Sequence, residues 1–187
     1  MSSQSTPTKS EEKQKKSARF KLNVQQKNWL VYAHIATAGI WFGTGLCMVI
    51  IALHNLKTTN GDELYILNTV MQLLDEVVII PAATASLITG ALLSGLTNWG
   101  FVKYYWVITK WIATLSLIIF GTFWLGPWTN AITSISQELR SQALQNPLYM
   151  FDDRATIMGG IVQTICLLAL IAISVLKPWG RRKSAQS

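Results

Sequence analysis

The stretch from Trp29 to His54 constrains this chain most. It is an apolar run long enough to cross a bilayer, yet it carries a histidine, His34, about one turn inside its first end. A span of roughly 20 apolar residues satisfies its own backbone hydrogen bonds in lipid, so the run predicts a transmembrane helix. Counted from His34, the residues Ala38, Trp41, Gly45 and Met48 return to nearly the same helical face. Beside that face, Gly39 and Gly43 form a G-x-x-x-G pair, a spacing that admits another helix backbone at close range. The first helix is expected to pack through these two glycines.

Three more spans follow. Val77 to Leu96 is free of charge, with helical character from near Leu64; Pro81 predicts a kink inside it, and Thr89-Gly90-Ala91 offers small residues for a tight helix contact. Trp106 to Leu125 contains Lys110 and is expected to close at Gly126-Pro127. Ile157 to Leu176 stops at Lys177-Pro178, with Asp152 or Asp153 expected to cap its start. Between the last two spans, Ile132, Ile135, Leu139 and Ala143 recur at helical spacing, which predicts a short amphipathic helix over 129–146 lying on the outer surface. The fold class that results is all-α: a polytopic membrane protein built as an antiparallel bundle of four transmembrane helices.

Composition excludes the main alternatives. Half of the 187 residues are hydrophobic and only 13% are charged, which is too apolar for an ordinary soluble domain. The net charge of +7 sits mostly in two tails, residues 1–28 and 180–187, flanking a transmembrane domain over 29–179. With no basic and aromatic module in those tails, the charge points to membrane topology and not to nucleic acid. Residues 1–28 are too polar to bury a core and are expected to be disordered. Of the 16 Lys and Arg residues, all but Lys57, Lys110, Arg140 and Arg154 fall in the tails, at Lys177 beside the second tail, or in the turn near Gly100. Both termini are therefore expected in the cytoplasm, in a bacterial cytoplasmic or thylakoid membrane. Cys47 and Cys166 lack C-x-x-C spacing and indicate neither a disulfide framework nor a thiolate metal site.

Ionisable groups inside spans are functional candidates. His34 and Lys110 stand at similar depths on the first and third helices, so they are expected to share a site. There the imidazole is a competent iron ligand, and the ammonium can meet a propionate or another anionic group. The alternative is that His34 bonds a neighbouring carbonyl and Lys110 snorkels to the interface. Trp41 and the small residues around Gly39 are expected to line a flat apolar cavity beside His34. His54 is about 30 Å along the helix from His34, so the two cannot share one iron. It is expected to join Asp75 and Glu76 in an outer polar cluster, either as an exposed helix end or as a proton or metal entry site.

His34-Ile35 with Trp41 and Gly43, then Ile80-Pro81-Ala82-Ala83 with Thr89-Gly90, then Trp106 with Lys110, then Leu176-Lys177-Pro178, come in a telling order. The chain resembles a broad group of four-helix bacterial membrane proteins. That group includes an uncharacterised integral membrane family, the copper-resistance CopD-type domain and HemJ-type protoporphyrinogen oxidase. The HemJ-like resemblance implies haem b, with His34 as its ligand and Lys110 as the functional lysine, and redox chemistry in the membrane. This chain departs from the HemJ pattern in having Cys47-Met48-Val49 where Leu-Pro-Arg stands, and in lacking a histidine late in the third helix. A second expectation, from the few intramembrane charges, the long basic tail and the outer amphipathic helix, is a non-enzymatic accessory or assembly subunit of a larger membrane complex, with a homo-oligomer as the alternative assembly.

Overall fold

A computed structural model describes residues 22–97 and 99–179; the expectations for residues 1–21 and 180–187 lie outside them. Four helical rods run up and down: α1 (Val24–Asn55), α2 (Gly61–Leu96), α3 (Tyr105–Gln145) and α4 (Pro147–Leu176). All four are long and apolar enough to cross a membrane. The fold is thus an all-α four-helix bundle, and the chain is a multi-pass membrane protein.

Asparagines start three of the rods. The Asn23 side chain accepts from the Gln26 amide at 2.7 Å while Gln26 Oε1 accepts from the Asn23 amide at 3.1 Å, a reciprocal cap that begins α1 five residues before Trp29. Asn60 caps α2, with Asp62 and Glu63 in the favourable first turn. Asn146, not Asp152 or Asp153, caps α4, with Pro147 at its first position. Both aspartates instead lie within the helix and are buried.

Each of the two prolines inside a span follows a π-helical turn, and neither ends its helix. In α2 a π-helical turn over Asp75–Ile79 precedes Ile80-Pro81, and the Ile80 amide donates to Asp75 O. In α3 the same arrangement recurs: a π-helical turn over Gly121–Leu125 precedes Gly126-Pro127, and the Gly126 amide donates to Gly121 O. A wide turn just before the proline relocates the carbonyls that its ring would strike, and both helices continue. Gly126-Pro127 therefore does not end α3, and residues 129–139 are no separate surface helix but the continuation of the rod, which breaks only at Arg140 (φ 49°) before a 3-10 turn over Arg140–Gln145.

From Tyr105 to Leu139 that rod is about 50 Å long against a hydrocarbon core of about 30 Å, so a second storey of the bundle projects past the span. It is built from Gly61–Leu74, Gly126–Leu139 and the starts and ends of α4 and α1. Ile132, Leu139 and Ala143 do not cover a membrane surface. Ile132 and Ala143 are fully buried with Leu64 and Met71 in the core of this storey, and Leu139 packs against them. At its centre Asn68, 0% exposed, accepts from Asn55 Nδ2 at 2.7 Å and shares its own amide between Ser136 Oγ at 3.1 Å and Tyr149 OH at 3.2 Å. A second core fills the spanning half: Trp41, Ile79, Ala82, Ala83, Leu117, Leu167 and Leu170. At the basic end Lys27 and Lys177 lie over the Trp99 ring at 5.7 and 5.8 Å, and Trp99 meets Trp106 edge-on, the collar expected where a bundle leaves lipid.

The close helix contacts are not at Gly39 and Gly43. A Cβ on either would meet nothing within 4 Å, because both lie on the part of α1 turned away from its neighbours. A Cβ at Gly159 would instead come 2.7 Å from Leu125 Cδ2 and 3.1 Å from Phe120 Cζ, and one at Gly160 3.2 Å from Val49 Cγ2. The α1 face that packs on α2 and α4 carries Trp41 and Gly45, so the G-x-x-x-G spacing marks an outer face of this chain.

Candidate functional site

The basic half of the bundle holds the site that His34 organises. α1 aims the imidazole at the small-residue stretch of α2, where Gly90 leaves room for it: a Cβ there would stand 3.2 Å from His34 Cε1. Gly90 thus acts as a packing residue, with a histidine ring as the body it accommodates. His34 Nδ1 lies 3.1 Å from the Ser86 carbonyl oxygen and 3.0 Å from Thr89 Oγ1. A carbonyl only accepts, so Nδ1 carries a proton and donates it. Thr89 donates its own hydroxyl proton to Ala85 O at 2.7 Å and can receive at the same time. In the neutral imidazole the lone pair is thereby left on Nε2.

Lys110 comes from α3, partly buried and within the first two turns of that helix. The hydrogen bond to a neighbouring carbonyl that the alternative reading expects is present, at Ser86, and it uses Nδ1 alone. Trp41 is placed differently from expectation. It is 2% exposed and fills the bundle centre among Ile79, Ala82, Leu117 and Leu167, so it forms solid core and not the wall of a flat cavity. Gly39 faces outward and lines nothing.

The outer polar cluster does not assemble as one unit. Because α2 begins at Gly61, its first turn and not its fifteenth residue reaches the end of α1, and His54 Nε2 pairs with Glu63 Oε1 at 3.5 Å. Both side chains are about half exposed. Glu76 accepts from Gln72 Nε2 at 3.0 Å on the exposed surface, while Asp75 turns inward toward Gly126. Residues that the sequence reading passed over include Asn68, Ser136 and Tyr149 in the projecting storey and Gln163 and Thr156 on α4. Gln163 was discoverable as the one amide inside an otherwise apolar 20-residue span.

A ligating histidine characteristically donates its other ring N–H to a carbonyl, and His34 donates Nδ1–H in this way. Among the described residues no group of three or more His, Cys, Asp or Glu side chains gathers. No protein-family model, no curated protein and no solved structure matches the chain.

Proposed function

We propose that the protein binds a lipid-soluble redox ligand bearing an anionic group in the basic half of the bundle, with haem b as the leading candidate. The observation that carries this reading is the fixed tautomer of His34, whose Nδ1 proton is held by the Ser86 carbonyl. His34 Nε2 would hold the iron, and Lys110 would meet a propionate. A bound haem supplies one-electron chemistry, and a single histidine ligand leaves it an open position. The protein's own part is to orient the imidazole through Ser86 and Thr89, to keep a cation in a poorly solvated site, and to exclude water through the Trp41 core below. Protoporphyrinogen oxidation is the activity that the HemJ-like resemblance implies for such a site. The test is the visible spectrum of protein purified in mild detergent from haem-replete cells. A Soret band is expected, and well-folded protein without one overturns the reading.

A second reading, an accessory or assembly subunit, is favoured by the unoccupied outer face of α1 at Gly39 and Gly43. Co-purification of a stoichiometric partner that is lost on Gly43→Val, with no chromophore, would put this reading ahead. The positive-inside pattern of the sequence supports placing both termini in the cytoplasm, so that the storey built on Asn68 faces outward from the cell or into a lumen.

A further inference from the structure

Between the two apolar cores lies a cavity of about 40 Å³, room for an ion with one or two waters. It is lined by Met48, Asp75, Thr129, Thr156, Gln163 and Thr164 among others, and none of the lining residues is basic. The wide turns of both proline-bearing helices converge on it. Gly126 borders the carboxylate, with Asp75 Oδ2 3.8 Å from where its Cβ would be, and Gly121 borders the amide, with Gln163 Oε1 and Nε2 each 3.9 Å from its own, both ordinary contact distances. Two oxygens at this place have nothing to bond: Gln163 Oε1 and Thr156 Oγ1 are buried without a partner, on residues each 8% exposed. Thr129 and Thr164 spend their hydroxyl protons on Leu125 O and Gly160 O, which leaves their lone pairs for another donor or a cation.

Leaving such groups unpaired in a span is costly, and a hard cation satisfies several oxygens at once. The charge count selects the kind of cation. One carboxylate with neutral carbonyl and hydroxyl oxygens is balanced by a single positive charge, and with oxygens as its polar ligands and only the thioethers of Met48 and Met71 nearby, the cavity does not favour a transition metal. We propose that this cavity binds one alkali cation of the sodium type, held by the Asp75 carboxylate with Gln163 Oε1 and Thr156 Oγ1 as neutral ligands. The cation ties α2 to α4 where the projecting storey joins the span. It is independent of the His34 site.

The test is thermal unfolding of the full-length protein in nanodiscs, in sodium chloride against choline chloride at equal ionic strength. Sodium is expected to raise the midpoint saturably, by on the order of 5 °C at saturation. Asp75→Asn and Gln163→Leu are each expected to abolish the difference, whereas His34→Ala retains it. Should Asp75→Asn fail to fold, Gln163→Leu and Thr156→Val carry the test. Identical midpoints in the two salts for the unaltered protein, a sodium response retained in both Gln163→Leu and Thr156→Val, or a response to calcium with none to sodium, would overturn the proposal.

Discussion

His34 and Ser86 meet across the α1–α2 contact through Nδ1 and a backbone carbonyl 3.1 Å apart, so the orientation of the ring is fixed by main chain that no side-chain substitution removes. Thr89 is the mutable part of the same arrangement, with Oγ1 3.0 Å from Nδ1. Thr89→Val is expected to weaken ligand binding at Nε2 by about 10-fold, as loss of an orienting partner does at metal-bound histidines. Titration followed by absorbance measures it, with far-ultraviolet circular dichroism unchanged.

Asn68 is expected to be the most sensitive polar position for stability. It is completely buried and bonds Asn55, Ser136 and Tyr149. Asn68→Leu strands those partners and is expected to cost about 3 kcal/mol, whereas Tyr149→Phe, which removes one hydroxyl, is expected to cost about 1 kcal/mol. Denaturant unfolding in detergent separates the two, and equal small effects would refute the ranking.

The glycines give a contrasting pair of expectations. At Gly159 a side chain would collide with Leu125 and Phe120, so Gly159→Val is expected to lose about 2 kcal/mol or more through overpacking. Gly43→Val adds a side chain in open space and is expected to change the stability of the isolated chain by no more than about 0.5 kcal/mol. A large loss at Gly43 with none at Gly159 would contradict the helix contacts described above.

Topology is open to direct measurement. Phosphatase fused after Asn60 is expected to be active, and a fluorescent protein fused after Gly100 is expected to fluoresce. The reverse pattern would place the Asn68 storey in the cytoplasm.

Much of this fold was legible in the sequence because long apolar runs have one physical outcome in lipid. The bond from His34 to a carbonyl was legible too, because a polar imidazole in a span must find a partner. What escaped was set by tertiary context. Pro127 reads as a stop because a regular α-turn cannot accept it, and only the wide turn beginning at Gly121 lets the rod continue. Ile132 and Ala143 mark an amphipathic face correctly, but periodicity does not say whether protein or lipid covers that face. Gly39 and Gly43 have the spacing of a contact, whereas the facing of α1 is decided by the bulk of Trp41, which the core takes in. His54 pairs with Glu63 because the Asn60 cap starts α2 a full storey earlier than its charge-free stretch indicates.

The claim that His34 is the working ligand is tested most directly by titrating haem b into nanodisc-embedded protein and following the Soret band in the unaltered chain, His34→Ala and His54→Ala. A saturable one-to-one titration that disappears in His34→Ala and persists in His54→Ala is expected. Indistinguishable titrations for the unaltered chain and His34→Ala would contradict it.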